Sequence, residues 1–445
     1  MNKQFICSAA EKYREKILEV AQWVWEHPET GYKEWNTEAY LADIFEKAGY
    51  ELHRAGNIPG FYTDIDTGNP GPKVLILGEM DALPLPTHFQ AVNGNAHACG
   101  HNIQCASIAG IALALKEPGA LDGLSGSVRI MAVPAEELVE IDFRRDLAKQ
   151  GTIRYLVGKA EFMYRGFMDD VDIAYMFHAT PRTDSKFNLD KGANGVISKE
   201  IVYSGVASHA AGSPEKGINA LYAATLGLQA INSIRETFVE KDYVRVHPIM
   251  NEGGQAINII PSKAVLSTYV RGASWEAILD ANKKVNRALA GAALSVGASV
   301  RYSDAASFSP YTNDYKFSKL MYEVMSDLIG EENVLWDDSW GTGSTDMGEL
   351  AMVMPIVHPH ISTSKGNSHG DDYEIDRPEG IIDSVKGQVA ILNALLENGA
   401  ARAKDITDSY IPTFKTKQEY FAFMDSVSKD VDMIRYTCSG AEITF

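Results

Sequence analysis

Three short apolar segments each lead directly into acidic residues or a histidine, and this pattern constrains the fold most. We predict strands at residues 73–78, 127–133 and 172–177. The residues that follow them are Glu79-Met80-Asp81, Pro134-Ala135-Glu136-Glu137 and His178. A buried helix is predicted at 103–115, and alternating strands and helices are typical of α/β architecture with a largely parallel sheet. Because ligands of open α/β sheets bind beyond the carboxyl ends of the strands, these polar residues are expected to converge.

The middle of the chain has a different pattern. Between residues 198 and 303 the predicted order is strand, helix, strand, strand, helix, strand, which is the split βαβ pattern of a compact α+β domain. After Pro310 the α/β character returns, with a predicted helix at 315–329 and a strand at 352–358. A chain of 445 residues is long enough for two domains.

We therefore predict an α/β catalytic domain built from residues 1–192 and 306–445, with a mixed, largely parallel sheet flanked by helices. A smaller, ferredoxin-like α+β domain at residues 193–305 interrupts it.

A divalent-metal site is the chemistry that the polar residues suggest. Cys99-Gly100-His101 lies just before the predicted buried helix. Thiolate and imidazole suit zinc, and carboxylate broadens the choice of metal. Of the adjacent Glu136 and Glu137, one can bind metal while the other takes a proton from water. Each piece alone is more often incidental, structural or a solvated surface feature, but their coincidence at strand ends favours function.

The ordered motifs resemble those of the M20 metallopeptidases. More narrowly, they resemble the amidohydrolase branch with aminoacylase-like enzymes, auxin-conjugate hydrolases and aminobenzoyl-glutamate hydrolase. The similarity covers roughly residues 10–400. The matching motifs are EMDALP from Glu79, HACGHN from His97, PAEE from Pro134, His178, GVASHAA from Gly205, NEGG from Asn251, NIIP from Asn258 and GSTD from Gly343.

The resemblance implies two divalent metal ions per subunit, zinc or manganese, with cobalt also compatible. It implies that Glu136 is the general base that takes a proton from the attacking water. The implied metal ligands are Cys99, His101, Glu137, His178 and the late histidine His369.

The resemblance also assigns roles outside the ligand set. His209 would stabilise the developing oxyanion in a partner subunit's active site, which makes residues 193–305 a lid and dimerisation domain. Asn258 and Arg271 would hold the substrate's carboxylate, although Arg271 as a surface strand residue is an equal alternative. Asp81 would orient a ligating imidazole, the alternative being turn chemistry at a strand end.

This chain departs from the family pattern in three places. Leu138-Val139-Glu140 and a charged stretch at 142–149 follow the glutamate pair, where family members commonly have glycine. The segment around His369 fits loosely, so His358 and His360 are rivals for the last metal position. No match is evident beyond about Ala401, and the aromatic segment 410–423 is expected to serve surface packing or a subunit contact.

Composition excludes several classes of partner and location. The net charge of −18 argues against a nucleic-acid partner. No uncharged apolar stretch is long enough for a membrane span, and charged residues interrupt the N-terminal segment, which argues against a signal peptide. Four scattered cysteines favour a reducing cytoplasm over a disulfide framework.

The predicted function is metal-dependent cleavage of the amide bond in a small carboxylate-bearing molecule. The expected substrates are an N-acyl amino acid, an aminobenzoyl-glutamate-like compound or a dipeptide-like compound. Two alternatives stay open from the sequence: a two-metal phosphoesterase, and a catalytically inactive relative that binds small molecules. The resemblance further implies a homodimer or a higher homo-oligomer.

Overall fold

A computed structural model describes residues 3–438 and 440–444 of the chain. These residues form two compact units. Unit 1 comprises residues 3–192, Thr312–Trp340 and Glu349–Lys417. Unit 2 comprises Ala193–Tyr311, Gly341–Gly348 and the described residues after Lys417.

The α-helices are numbered in chain order. They are α1 (Lys3–Lys12), α2 (Arg14–Glu26), α3 (Trp35–Lys47), α4 (His101–Leu115), α5 (Ile141–Lys149), α6 (Gly158–Tyr164), α7 (Ala220–Ser233), α8 (Trp275–Val296), α9 (Tyr315–Ile329), α10 (Met347–Ala351), α11 (Pro378–Ser409) and α12 (Lys417–Val427). Non-helical backbone at residues 397–400 divides α11 into two helical parts.

The β-strands are numbered in the same way. They are β1 (His53–Arg54), β2 (Phe61–Asp66), β3 (Lys73–Glu79), β4 (Leu83–Pro84), β5 (Asn95–Ala96), β6 (Ser127–Val133), β7 (Ile173–Tyr175), β8 (His178–Thr180), β9 (Phe187–Leu189), β10 (Gly192–Ala193), β11 (Gly195–Ser204), β12 (Arg245–Val246), β13 (Ile249–Glu252), β14 (Lys263–Gly272), β15 (Ser299–Phe308), β16 (Tyr311–Thr312), β17 (Val334–Trp336), β18 (Trp340–Gly341), β19 (Ile356–Val357), β20 (His360–Ser362), β21 (Ser364–Lys365), β22 (Glu374–Ile375), β23 (Lys429–Thr437) and β24 (Gly440–Ile443).

The main sheet of unit 1 has the strand order β1-β2-β6-β3-β7-β19. Strands β6, β3, β7 and β19 pair in parallel, while β2 is antiparallel to β6. Strand β3 is buried on both faces apart from its first residue, which explains its continuous apolar sequence. The sheet is therefore mixed and largely parallel, as predicted.

Helix α4 is buried around almost its whole circumference. At Gly110 an added Cβ would lie 2.8 Å from both Ile17 Cγ1 of α2 and Val385 Cγ2 of α11, so a glycine allows these helices to approach closely. This packing fixes the N-terminus of α4 at the edge of the sheet where the polar residues gather.

A second, four-stranded sheet in unit 1 has the order β17-β9-β20-β8. Strand β8 is parallel to β20, and β20 is antiparallel to β9. Since β8 begins at His178, this sheet carries one of the predicted site residues on its edge.

Unit 2 contains an antiparallel sheet with the order β12-β14-β11-β15-β23-β24, and β13 also pairs with β14. Helices α7 and α8 pack against each other and against β11 and β14. The chain order β11-α7-β13-β14-α8-β15 is the split βαβ pattern predicted from the sequence.

The structure differs from the predicted domain assignment after Lys417. Strand β23 pairs antiparallel with β15, so the chain's last described residues extend the sheet of unit 2, not the catalytic domain. In α12, Tyr420 and Phe421 are buried, and the Phe423 ring packs on that of Trp275 at 5.1 Å. The aromatic segment thus packs within unit 2, because β23 covers an edge that β15 would otherwise expose.

Two smaller predictions also differ from the structure. The predicted N-terminal helix is divided at Tyr13 into α1 and α2, and the predicted strand at 352–358 is reduced to β19. Of the helices in the described part of the chain, none combines the length and apolarity that crossing a membrane requires.

Candidate metal centre

The carboxyl ends of the parallel strands bring the predicted polar residues together in unit 1. Asp81 lies two residues after β3, and Glu136 and Glu137 follow β6. His178 opens β8, two residues after β7 ends. His101 is the first residue of α4, with Cys99 two residues earlier.

Gly100 permits the tight turn between Cys99 and His101. Its φ of 91° lies in the left-handed region, which glycine adopts without strain. An added Cβ would also lie 2.5 Å from the Ala179 Cβ and 2.6 Å from the Tyr373 hydroxyl oxygen. A glycine is therefore required for both residues to face the same site.

The structure brings all five predicted ligand residues into two donor groups that share Cys99. One group is Cys99, His101 and His178, with Cys99 Sγ 3.4 Å from His178 Nε2. The other is Cys99, Glu137 and His369, with His369 Nε2 3.1 Å from Glu137 Oε1. Within each group the potential ligand atoms lie within 4.8 Å of one another.

Hydrogen bonds fix which ring nitrogens can bind a metal. His101 Nδ1 lies 2.8 Å from the Asp81 carbonyl oxygen, and His178 Nδ1 lies 2.8 Å from that of Ala179. Since a carbonyl only accepts, each Nδ1 carries the proton and each Nε2 keeps a lone pair. The Nε2 atoms are the ones that belong to the donor group.

Asp81 ties the two halves of the site together. Its Oδ2 accepts a hydrogen bond of 2.9 Å from the Glu137 backbone N–H, and its Oδ1 lies 3.2 Å from His101 Nδ1. A carboxylate in this position fixes the orientation of a ligating imidazole.

The donor set fits divalent cations. His101 Nε2 and Glu137 Oε1 are buried and make no well-aligned hydrogen bond within the described residues. Buried polar atoms are normally satisfied, and a cation would satisfy both lone pairs. A thiolate, imidazoles and a carboxylate are ligands that zinc accepts, and two groups sharing one sulfur suit a pair of ions.

The charges of the ligands favour metal binding. Burial and Glu137 oppose ionisation of Cys99, but His178 and His101 outweigh them and lower the thiol pKa to about 6. Burial also opposes ionisation of Glu137, yet the hydrogen bond and charge of His369 lower its pKa to about 2. Both groups are therefore anionic near neutral pH, the form in which each binds a metal.

Glu136 lies beside the ligands without belonging to the two groups that share Cys99. It is 6% exposed, and one of its oxygens comes within 4.8 Å of potential ligand atoms of His101 and Glu79. A carboxylate in this position can accept a proton from a molecule bound at the centre.

Glu79 and Lys159 are site residues that the sequence analysis did not assign. Both are fully buried, and Lys159 Nζ forms an ion pair with Glu79 Oε1. Glu79 Oε2 accepts a hydrogen bond of 2.9 Å from Gln104 Nε2 and lies 3.1 Å from His101 Nε2. Glu79 was visible in the EMDALP motif, but a lysine in a short helix gave no signal.

The charged stretch at 142–149 forms α5, and its Arg144 is fully buried beneath the glutamate pair. The guanidinium donates to the carbonyl oxygens of Ala135 (3.1 Å), Leu156 (2.8 Å) and Glu137. From the other side, Glu34 accepts a 2.7 Å hydrogen bond from the Ala135 N–H. These contacts hold Ala135 at a φ of 59° and so present Glu136 and Glu137 to the site.

His358 and His360, the rivals for the last position, lie near His178 but outside the donor groups found among the described residues. Their ring centroids are 5.6 Å and 5.8 Å from that of His178. It is His369 whose Nε2 meets Glu137.

The remaining predicted residues lie in unit 2. His209 is exposed, and its Nδ1 accepts hydrogen bonds from the backbone N–H groups of Ala211 (3.2 Å) and Gly212 (2.9 Å), so in the neutral ring Nε2 carries the proton. Asn258 is exposed, and its carbonyl oxygen accepts from the Ala210 N–H at 3.0 Å. Arg271 donates to Ser344 Oγ at 2.8 Å.

An α/β unit with this donor set beside a separate glutamate defines a hydrolase of the metallopeptidase class. The sequence profile described as Peptidase family M20/M25/M40 matches residues 75–398. The chain belongs to this family, and it is a hydrolase that cleaves amide bonds.

Individual relatives extend over most of the chain. One of the two p-aminobenzoyl-glutamate hydrolase polypeptides of Escherichia coli (strain K12) is 28% identical over 91% of this chain and 80% of its own length. The Xaa-Arg dipeptidase of Homo sapiens is 29% identical over 81% of this chain and 79% of its own.

A solved structure shares the fold. A dinuclear metal-binding M20 peptidase from Bacillus subtilis matches 87% of this chain and 99% of its own, with a TM-score of 0.67 and 20% identity.

Proposed function

We propose that the protein cleaves the amide bond of a small carboxylate-bearing molecule: an N-acyl amino acid, an aminobenzoyl-glutamate-like compound or a dipeptide-like compound. One observation carries the proposal. Cys99 belongs to two groups of ligand atoms at once, and Glu136 lies beside them as a separate carboxylate. Relatives named for p-aminobenzoyl-glutamate hydrolysis and for dipeptide hydrolysis support the substrate class.

The site would hold two divalent metal ions, zinc or manganese, with cobalt also compatible. The proposed ligands are Cys99, which both ions share, and His101, Glu137, His178 and His369. When bound, the two ions supply Lewis acidity, which lowers the pKa of a water molecule and polarises the scissile carbonyl.

Glu136 is the proposed general base. Its carboxylate accepts a proton from the attacking water and later returns it to the leaving amine. Asp81 keeps His101 in the tautomer that leaves Nε2 free, and Arg144 holds the backbone that presents Glu136. The substrate's amide is thus activated while the proton transfer stays with one residue.

Residues of unit 2 are proposed to bind the substrate. The His209 Nε2–H can donate to the oxyanion that develops on the scissile carbonyl oxygen, because backbone N–H groups occupy Nδ1. Arg271 and Asn258 would hold the substrate's carboxylate.

We also propose that unit 2 serves as lid and dimerisation domain of a homodimer or higher homo-oligomer in the cytoplasm. Helix α7 exposes Tyr222 and Leu226, and the short strand β13 exposes Ile249 and Met250. Exposed apolar side chains of this kind are typical of an interface between subunits.

The test is a substrate panel run on protein reloaded with zinc or with manganese. It contains N-acyl amino acids, aminobenzoyl-glutamate and dipeptides, with a generic phosphate ester as the control for the phosphoesterase alternative. We expect hydrolysis of at least one amide and none of the ester. Metal-loaded protein that binds these amides without cleaving any would instead support the inactive-relative alternative.

A further inference from the structure

A polar cavity of about 150 Å³ lies in unit 1 next to the candidate metal centre. None of the roles proposed above uses it. The polar side chains that line it and matter here are Thr180, Arg182, Asn188, Asp190, Asp337 and His360.

Strand register connects the cavity to the metal centre. In the four-stranded sheet His360 pairs with His178 on one side and with Asn188 on the other. Paired residues point to the same face, so the three side chains form a row. With strands about 4.8 Å apart, Asn188 lies roughly 10 Å from the proposed ligand His178, about the reach of an extended amino-acid side chain.

The cavity has more negative than positive charge. Asp190 is largely buried and accepts a 3.1 Å hydrogen bond from Asn313 Nδ2, and its Oδ2 lies 3.7 Å from His360 Nδ1. Burial lowers the pKa of His360 to about 3, so this ring is neutral. Burial and Asp337 together raise the pKa of Asp190 to about 7, which shows how poorly its charge is compensated.

Arg182 only partly balances the carboxylates. Its guanidinium is paired with Asp184, at 3.0 Å and 2.7 Å, and lies 3.7 Å from Asp337. One guanidinium thus faces three carboxylates, counting Asp190, and a cationic ligand would complete the balance.

Asn188 gives a second, independent sign of a ligand. It is 5% exposed, and its Nδ2 has no hydrogen-bond partner in residues 3–438 or 440–444. Its Oδ1 is satisfied, since it accepts a 2.6 Å hydrogen bond from Ser185 Oγ. Because a buried amide donor without an acceptor is costly, an oxygen atom of a ligand is expected here.

We propose that this cavity is a specificity pocket for a substrate whose side chain ends in an ammonium or guanidinium group, recognised by the carboxylates of Asp190 and Asp337. The inference rests on the proposed amide hydrolysis and specifies its substrate class. The cation would lie between the two carboxylates, and Asn188 Nδ2 would donate to an oxygen of the same substrate.

The experiment compares substrates that differ only in the terminal charge. N-acetyl-lysine is paired with N-acetyl-norleucine, and 6-aminohexanoyl-glycine with hexanoyl-glycine, so both sides of the scissile bond are probed. We expect the charged member of one pair to have the higher kcat/KM, by about 30-fold or more. Asp190→Asn and Asp337→Asn should each remove most of that preference and leave the neutral member's kcat/KM unchanged.

Asp408→Asn is the matched control, because it removes an exposed carboxylate at the end of α11 in the same unit. It should preserve the preference. Equal kcat/KM for charged and neutral members in the wild-type protein, or an equal loss for both in the Asp190 and Asp337 variants, would overturn the pocket. Neither result would affect the proposed amide hydrolysis.

A binding measurement separates failure of the pocket from failure of the proposed function. Calorimetric titration of metal-loaded protein with free lysine and free norleucine needs no turnover. If no amide is cleaved but lysine binds more tightly than norleucine, and Asp190→Asn abolishes the difference, the pocket stands and the hydrolytic proposal fails. Equal binding of the two amino acids would contradict the pocket directly.

Discussion

At the scale of single residues, the site separates metal binding from proton transfer between two adjacent glutamates. Glu137 belongs to the group with Cys99 and His369, whereas Glu136 belongs to a different group, with Glu79 and His101. The two side chains share one turn, which Arg144 and Glu34 hold from opposite sides. This division makes the role of each glutamate testable by itself.

Glu136→Gln should abolish turnover and preserve the metals. The amide keeps the shape of the side chain but cannot accept the proton of water, so kcat should fall by about 10²- to 10⁴-fold. Steady-state kinetics and elemental analysis of the same preparation provide the measurement. Glu137→Gln is the control and should lose metal. Activity near the wild-type level in the Glu136 variant would refute the assignment of the base.

Cys99→Ala should reduce the metal content of both sites at once, because its sulfur is common to the two donor groups. Elemental analysis after dialysis should find clearly less metal than in the wild-type protein. Cys438→Ala is the control, since this thiol is exposed and remote in sequence from the site. Full metal content in the Cys99 variant would mean that the two groups do not share this ligand.

Metal affinity should rise with pH. In the absence of metal, burial favours neutral His369, but Cys99 and Glu137 outweigh it and raise its pKa to about 11. The ring must lose this proton to bind a cation, so each binding event between pH 7 and 9 releases one proton, and affinity should increase about tenfold per pH unit. Below pH 6, protonation of Cys99 makes the dependence steeper.

The affinity is measured by competition with a chelator at several pH values. In His369→Ala the slope between pH 7 and 9 should be smaller, because the proton-releasing group is gone. An affinity independent of pH in the wild-type protein would contradict the assignment of His369 as a ligand.

At the scale of secondary-structure elements, the apolar pattern predicted what burial determines. Strand β6 and helix α9 have the predicted bounds, because β6 is buried on both faces and α9 has a regular apolar stripe. Strand β19 is much shorter than predicted, since an apolar run does not reveal where a partner strand ends.

The elements that support the site were harder to predict. Arg144 and Lys159 are fully buried cations, although their local sequences are those of solvated helices. Only tertiary partners, three carbonyl oxygens for one and Glu79 for the other, explain their burial. The pairing of β23 with β15 is a contact between residues more than a hundred positions apart, and no local pattern indicates it.

Arg144→Leu should destabilise unit 1. The substitution removes the donor for the carbonyls of Ala135, Leu156 and Glu137 and leaves them buried without it, at about 1–3 kcal/mol per group. We expect the free energy of unfolding to fall by about 3 kcal/mol or more, measured by urea denaturation. Lys149→Leu, at an exposed position of the same helix, should change it by less than about 0.5 kcal/mol.

At the scale of the whole molecule, the chemistry is divided between two units that the chain enters more than once. The proposed metal ligands and general base all lie in unit 1, whereas His209, Asn258 and Arg271 lie in unit 2. If unit 2 joins two subunits, as proposed, a residue such as His209 can complete the site of the neighbouring copy. The oligomer would then be required for activity and not only for stability.

Two observations locate the proposed interface on unit 2. On α7, Tyr222 and Leu226 are four residues apart, hence on one face, and are 64% and 42% exposed. Ile249, on β13, is 52% exposed. The double substitution Tyr222→Glu and Leu226→Glu should therefore yield monomers by size-exclusion chromatography with light scattering. Tyr315→Glu, at an exposed aromatic position of unit 1, is the control and should not.

Mixing inactive variants tests whether His209 acts between subunits. A Glu136→Gln subunit keeps His209, and a His209→Ala subunit keeps Glu136, so each homo-oligomer is nearly inactive. In a mixed dimer, the His209→Ala subunit would receive an intact His209 from its neighbour and regain one working site. Random exchange should then restore about a quarter of wild-type activity, because about half of the dimers are mixed and each has one working site of two. If His209 acts within its own subunit, no working site can form in any dimer, and activity stays at the level of the separate variants.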